Sequence, residues 1–410
     1  MVWNPVRAVL GRPRVRPDWR IQALVLAVIA LLGTLPFWLT DLDIRVASWF
    51  YHPGADDPWF DGERPLWYAL YRAAPILTNV VVLGGILVLV GGRLWARLQP
   101  MGVYAVLVLA TLAIGPGLLV NAVFKDHWGR PRPHQVEALG GTEAYLPPLV
   151  RDGSGEGKSF TCGHSSVGYM LGVFFLIWRR RRPWLASAAL VVALFLGTLL
   201  GVGRMASGDH FLSDVIWSGV IAYGAALTLY FGVLRIPQRE SARSAMSSST
   251  ATPARRSHLA IGAYGILGLV MLSGVLLATP VSDNEREVVR RGEFQPDPRV
   301  LRIEADHVRL IFHRIEGPDL GLVRLKVRGF GLPSAWVDRD LTTEGGTLTY
   351  RIAHKGVFTE RDTKLVVGLA AGQWDRVEAR IGTGEILVHP LGPGAPKLDL
   401  VNDDGSVVME

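Results

Sequence analysis

The chain has 410 residues, enough for two or three domains, and 49% of them are hydrophobic, with a mean hydropathy of +0.27. This is too apolar for an ordinary soluble protein of this size. The net charge of +7 would suit a nucleic-acid-binding protein, but residues 281–410 are slightly acidic and the cations concentrate between apolar segments. The single cysteine, Cys162, excludes an intramolecular disulfide.

Seven apolar segments have lengths at or near that of a membrane-spanning helix. They are predicted at 21–40, 74–92, 101–124, 161–178, 183–200, 212–234 and 259–280. The first follows a basic lead but has no cleavage site after it, so it is interpreted as a retained span. Arginines cluster before the first span, at 93–97, at 179–182 and at 235–256, whereas the loop 41–63 is acidic. The positive-inside rule therefore predicts a cytoplasmic N-terminus and an extracytoplasmic C-terminal region.

These patterns divide the chain into five regions. They are a basic cytoplasmic N-terminus (1–20), a six-span helical unit (21–234), a flexible cytoplasmic linker rich in Ser, Ala and Arg (235–258), a seventh transmembrane helix (259–280) and an extracytoplasmic β-domain (281–410). The predicted fold class is an all-α polytopic membrane protein with a small all-β domain appended at its C-terminal end.

The last region contains short β-branched runs punctuated by Gly, Pro and Asp, which is typical of a small all-β domain. The predicted strands are Val300–Ile303, Val308–Phe312, Leu322–Val327, Thr347–Ile352, Lys364–Val367, Glu385–Val388 and Lys397–Val401. The segments 379–388 (ARIGTGEILV) and 400–409 (LVNDDGSVVM) resemble one repeated unit, which leaves a sandwich and a short β-solenoid open. The histidines of this region show no metal-ligand spacing, and no chemistry is predicted for it.

Three short clusters carry the candidate chemistry. They are 125–133 (KDHWGRPRP), 161–164 (TCGH) and 204–214 (RMASGDHFLSD). Each lies at the end of an apolar segment, and the predicted topology places all these ends on one side of the membrane. Together they supply three cations for an anionic group, two histidines for nucleophilic and acid–base work, and one carboxylate: Lys125, Arg132, Arg204, His164, His210 and Asp214.

Each cluster alone has an ordinary explanation: a snorkelling lysine, an interfacial histidine or a surface ion pair. The spacing of His210 and Asp214 places both on one helix face, where the carboxylate would accept the N–H of one ring nitrogen. Gly163 would open a helix whose unpaired N–H groups favour anions. Arg130 is a third cation of the first cluster and is interpreted as secondary.

These residues resemble the type 2 phosphatidic acid phosphatase family, which shares a superfamily with bacterial acid phosphatases and vanadium haloperoxidases. The family pattern is K-x6-RP, then PSGH, then SR-x5-H-x3-D, and the resemblance covers about residues 20–234. The matching positions are Lys125, Arg132, Pro133, Gly163, His164, Arg204, His210 and Asp214. The loop 126–160 is similar to that of the lipid A phosphatase branch.

The resemblance implies a membrane lipid phosphatase that needs no metal or other cofactor. His210 would attack phosphorus and form a phosphohistidine, Asp214 would orient it, and His164 would be the acid and then the base. The implied phosphate-binding residues are Lys125, Arg132, Arg204, Cys162 and Gly163. Cys162 stands where the family has a serine, and a thiol is the weaker donor. Independently of the resemblance, Cys162 permits a redox hypothesis, in which neighbouring cations lower the pKa of its thiol and open it to oxidation; the alternative is the commoner buried, inert cysteine.

The implied substrate is a phosphomonoester or pyrophosphate of a membrane lipid at the outer face of the cytoplasmic membrane, facing the periplasm in a Gram-negative host. Candidates are undecaprenyl pyrophosphate, phosphatidic acid, phosphatidylglycerol phosphate and lipid A phosphates. Nucleic acid is not an expected partner, and the partner of the β-domain is open. Two alternatives remain: a lipid phosphotransferase, and a catalytically degenerate, membrane-anchored binding or scaffold protein whose β-domain carries the function.

Overall fold

The computed structural model describes residues 19–55, 57–152, 157–246 and 279–409. Five of its helices are long and apolar enough to cross a membrane, and a sixth apolar helix is shorter. In chain order, the helices are α1 (Trp19–Leu39), α2 (Leu42–Ser48), α3 (Pro65–Leu94), α4 (Gln99–Lys125), α5 (Gly163–Trp178), α6 (Pro183–Ala206), α7 (Leu212–Val233) and α8 (Ile236–Met246).

Five predicted spans are thus confirmed as helices of sufficient length, and together with the β-rich C-terminal domain they form a multi-pass membrane protein. The predicted span at 161–178 is the shorter helix α5. The predicted seventh span, 259–280, lies outside the described residues except for Thr279 and Pro280, which begin a strand. Thr279 and Pro280 therefore belong to the β-domain instead of the predicted span, which otherwise stays a prediction.

Helix α5 forms the centre of the helical unit and packs against α6 and α7. Its residues Met170 and Leu176 are fully buried together with Leu107 of α4. Gly168 lets α5 and α6 approach closely, because a Cβ there would lie 2.5 Å from the backbone nitrogen of Gly197. The outer helices α1, α3 and α6 instead expose large apolar side chains, as helices facing lipid do.

The first part of the predicted flexible linker is helical, as α8 shows. Ile236 is fully buried against the helical core, and the hydroxyl of Tyr104 donates a hydrogen bond to Glu240. These two contacts anchor a segment whose composition alone favours a flexible chain. Residues 247–258 of the linker lie outside the described residues.

Eight strands form the C-terminal domain. They are β1 (Thr279–Val289), β2 (Val300–Ile315), β3 (Gly321–Gly331), β4 (Trp336–Glu344), β5 (Thr347–Lys355), β6 (Phe358–Ala370), β7 (Arg376–Val388) and β8 (Lys397–Met409). Two predicted strands are merged in β2, and β1 and β4 were not predicted. Both are polar edge strands with one neighbour each, so they lack the apolar alternation that marks a half-buried strand.

The domain is built around a parallel stack. Strand β2 pairs in parallel with β7, and β7 with β8, while β5 and β6 follow each other along the opposite edge of β2. Residues 379–388 and 400–409 lie side by side position for position, from Ala379 opposite Leu400 to Val388 opposite Met409. The repeat is therefore confirmed, and this stacking of equivalent segments favours the solenoid alternative over a sandwich.

The β-domain lies over one end of the helical unit. Strands β3 and β6 face the loop between α2 and α3, where Lys326 pairs with Glu63 and Lys364 Nζ lies 2.7 Å from Asp57 Oδ2. Strand β6 also reaches the end of α4, because Glu360 Oε2 lies 3.1 Å from Lys125 Nζ. The strands are therefore placed directly above the helix ends that carry the candidate chemistry.

Candidate active site

All three sequence clusters meet at this end of the helical unit. Lys125 is the last residue of α4, His164 lies in the first turn of α5, and Arg204 lies in the last turn of α6. Arg132 comes from the loop after α4, and His210 and Asp214 flank the start of α7. Residues up to 89 positions apart are thereby brought together, as the predicted topology required.

The three predicted cations share a set of carboxylates. Arg132 Nη1 lies 3.0 Å from Asp209 Oδ1, and Arg204 Nη2 lies 3.1 Å from Asp209 Oδ2. Glu360 joins Arg204 to Lys125, with its Oε1 3.2 Å from Arg204 Nη2. Arg204 is 2% exposed, yet its Nε and Nη1 have no hydrogen-bond partner among the described residues. These buried donors are available to an anionic ligand.

His210 is held by a backbone carbonyl rather than by the predicted carboxylate. Its Nδ1 lies 2.6 Å from the carbonyl oxygen of Ser159 and 3.9 Å from Asp214 Oδ2. A carbonyl oxygen can only accept, so Nδ1 carries the proton and the lone pair of Nε2 is free. Burial, and then the positive charges of Arg204, Arg132 and Lys125, hold the pKa of His210 well below the ordinary histidine value.

Asp214 supports His210 indirectly, through two neighbouring residues. Its Oδ2 accepts hydrogen bonds from the hydroxyl of Ser159, at 2.7 Å, and from the backbone N–H of Phe211, at 2.8 Å. This oxygen lies 3.9 Å from Nδ1 of His210, which is too far for a hydrogen bond. Asp214 thus holds Ser159, which bonds to His210, and Phe211, which follows His210 in the chain. Asp214 is therefore a positioning residue.

Arg130, interpreted as secondary from the sequence, lies at the centre of this support. It is fully buried, with Nη1 2.5 Å from Asp214 Oδ1 and Nη2 2.8 Å from Asp43 Oδ2. Ser213 bonds to Asp43 through both its N–H and its hydroxyl. Sequence reasoning missed Asp43, because the sequence shows it only as one acidic residue among several in the segment 41–63. Only the fold shows that it neutralises a buried arginine.

His164 is packed between the helical unit and the β-domain. Its ring stacks on Tyr71 with a centroid separation of 4.8 Å and lies 5.6 Å from the ring of Phe330 in the β-domain. Its Nε2 is buried and has no hydrogen-bond partner within the described ranges, so it is free for proton transfer. A Cβ on the preceding Gly163 would lie 2.7 Å from Asn121 Oδ1, so only glycine fits there.

Cys162 is fully buried in an apolar cluster with Val46, Met205 and Val215. Burial raises the pKa of its thiol to about 11. Burial therefore favours the buried, inert cysteine over the redox hypothesis, because desolvation outweighs the nearby positive charge. A direct contact of its sulfur with phosphate stays a prediction.

A cavity of about 260 Å³ opens between the site and the β-domain. Lys125 and Arg132 line its helical side, while Arg309, Glu360 and Arg361 line its β-domain side. Over the part of the chain that the structure describes, no three metal-ligating side chains converge. The arrangement therefore offers cationic and histidine chemistry to a phosphate-sized anion.

Comparison with known proteins identifies the family. The model of the PAP2 superfamily matches residues 103–236. A lipid A 4'-phosphatase from Francisella tularensis subsp. novicida (strain U112) is 37% identical over 215 residues, which are 51% of this chain and 93% of that protein. The chain belongs to the PAP2 superfamily. The resemblance read from the three motifs is confirmed, including its lipid A phosphatase-like branch.

A second lipid A 4'-phosphatase and a solved PAP2-type structure are also similar to this chain. A lipid A 4'-phosphatase from Rhizobium leguminosarum is 35% identical over 130 residues, which are 30% of this chain and 52% of that protein. Among solved structures, a PAP2-type phosphatidylglycerolphosphate phosphatase from Bacillus subtilis is 20% identical and covers 54% of this chain and 96% of its own, with a TM-score of 0.33. The family model ends at residue 236, so it leaves the β-domain without a match.

Proposed function

We propose that this protein is a membrane phosphatase that hydrolyses a phosphomonoester or pyrophosphate of a membrane lipid through a phosphohistidine. The observation that carries the proposal is the convergence of Lys125, Arg132 and Arg204 on two histidines with free ring nitrogens. A phosphoryl group carries its charge on three equatorial oxygens, and positioned cations are the main means of stabilising their transfer.

In the first step, His210 Nε2 attacks phosphorus while Nδ1 keeps its proton on the carbonyl of Ser159. The bond from phosphorus to the lipid oxygen breaks, and His164, which must begin this step protonated on both ring nitrogens, donates a proton to that oxygen. Lys125, Arg132 and Arg204 hold the phosphoryl oxygens throughout. The low pKa of His210 keeps its ring neutral, as a nucleophile must be.

In the second step, His164 takes a proton from water, and the water oxygen attacks the phosphohistidine. Inorganic phosphate leaves and His210 returns to its neutral form, so atoms and protons balance over the cycle. No step assigns a role to a metal ion. Attack by another lipid instead of water would make the protein a phosphotransferase, and the same intermediate would serve both reactions.

The relatives that match this chain are named lipid A 4'-phosphatases, so we propose the phosphate of a lipid A-type glycolipid as the first substrate to test. The cationic clusters on alternate loops support a site at the outer face of the cytoplasmic membrane, with the β-domain on that side. The position of the β-domain over the site agrees with this topology.

The test is phosphate release by the purified protein in detergent, with a chelator present, from lipid A, undecaprenyl pyrophosphate, phosphatidic acid and phosphatidylglycerol phosphate. We expect turnover of one lipid, and its loss in His210→Ala. The matched control is His127→Ala, since His127 is an exposed histidine close to Lys125 whose ring bonds to the backbone carbonyl of Ala122. Turnover in His210→Ala near the wild-type rate would refute the nucleophile, and a requirement for added metal would refute the metal-independent mechanism.

A further inference from the structure

The strand β6 places a carboxylate where the proposed mechanism needs a phosphate. Glu360 Oε2 lies 3.1 Å from Lys125 Nζ, and Oε1 lies 3.2 Å from Arg204 Nη2. Its side chain is only 10% exposed. Both partners are predicted phosphate-binding residues, and both contacts come from a domain that the family match does not include.

The charge state of Glu360 fits this placement. Burial opposes its ionisation, but Lys125 and Arg204 outweigh burial and hold its pKa well below the ordinary glutamate value. Glu360 is thus an anion with two oxygens that bridges two cations, in the manner of a bound phosphoryl group. A substrate phosphate carries a larger negative charge and competes for the same donors.

A second contact closes the site beside His164. Phe330 of β3 stacks on Tyr71 at 5.2 Å between ring centroids and lies 5.6 Å from His164. His164 and His210 are 7% and 1% exposed. Phe330 of β3 covers His164, and Glu360 of β6 occupies donors of Lys125 and Arg204, so displacing the two strands would uncover His164 and free those donors.

Apart from the aromatic contacts of Phe330, polar contacts seat these strands on the helical unit. Lys326 pairs with Glu63, Lys364 with Asp57, and Arg328 Nη1 lies 3.4 Å from the carbonyl oxygen of Gly62. Ion pairs and hydrogen bonds exchange readily for contacts with water, so an interface of this kind separates at a lower cost than an apolar core does. The seat is therefore suited to reversible opening.

We propose that β3 and β6 form an autoinhibitory lid in which Glu360 occupies the phosphate position as an internal pseudosubstrate. The inference rests on the proposed phosphatase function, since it assigns a regulation to that same site. A phosphorylated lipid opens the lid when its phosphate displaces Glu360 from Lys125 and Arg204. The resting protein is closed, and its apparent affinity for phosphate is reduced by the fraction of molecules that are open.

The experiment uses the full chain in detergent and two readouts: the dissociation constant for inorganic phosphate by calorimetry, and kcat/KM for the lipid that is turned over. Glu360→Gln keeps the shape and removes the charge. We expect phosphate to bind about tenfold more tightly, and kcat/KM to rise by about the same factor, because two charge-assisted contacts no longer compete. The matched control is Glu378→Gln, whose glutamate pairs with Arg302 on the surface of the β-domain.

A second variant tests the lid without altering its carboxylate. Lys326→Ala removes the pair with Glu63 and should change both readouts in the same direction as Glu360→Gln. Unchanged phosphate affinity in Glu360→Gln, or a fall in both readouts, would overturn the lid and make Glu360 a positioning residue. The outcomes are separable: absence of turnover in every variant refutes the phosphatase, while the phosphate titration still decides whether Glu360 competes for the site.

Discussion

Arg130 provides the sharpest test of how the catalytic end of the helical unit is held together. Replacing it with methionine keeps an unbranched side chain but removes the only cation in contact with the carboxylates of Asp43 and Asp214 among the described residues. Both carboxylates are fully buried. Removing one partner of a buried ion pair typically costs about 3–5 kcal/mol, because the other charge is left uncompensated. We expect a loss of this size in the free energy of unfolding.

Unfolding in mixed micelles with increasing sodium dodecyl sulfate, followed by tryptophan fluorescence, measures this free energy. The double variant Arg130→Met/Asp43→Asn should recover part of the loss, since the remaining Asp214 keeps its hydrogen bonds from Ser159 and Phe211. The control is Arg45→Met, which removes an exposed pair with Asp41 and should leave stability unchanged. A loss of less than about 1 kcal/mol in the single variant would refute the reasoning.

Three further predictions concern groups that the fold buries. Burial holds the pKa values of His210 and His134 well below 6.5, so the unfolded chain binds more protons than the folded protein at low pH. The free energy of unfolding should therefore fall as the pH decreases below about 6.5. Equal stability at about pH 7.5 and about pH 5 would contradict this. Cys162, with a pKa of about 11, should react with a maleimide only after unfolding; fast labelling of the folded protein, or inactivation by peroxide, would restore the redox hypothesis. Gly168→Ala should cost about 1–3 kcal/mol, because its Cβ would press on Gly197; unchanged stability would show that α5 and α6 separate freely.

Much of the active site could be predicted from the sequence because its residues follow one another at fixed spacings beside span ends. The alternation of basic and acidic loops placed Lys125, His164 and Arg204 at one end of the helical unit before any contact was known. What spacing could not supply is the identity of hydrogen-bond partners. The predicted pair of His210 and Asp214 shares a helix face, yet the carbonyl of Ser159 is closer to the ring.

The sequence by itself determined the membrane class, five of the spans before residue 235 apart from their exact ends, the repeat in the last strands and the three motifs of the candidate site. These features depend on local composition and on short periodic patterns, which a single chain displays directly. Only the tertiary structure decided that Arg130 is buried between Asp43 and Asp214, that Cys162 is desolvated, and that Glu360 meets Lys125 across 235 positions. Each of these three findings depends on burial or on charges that long-range packing brings together. Neither burial nor such a charge contact can be inferred from the residues adjacent in sequence.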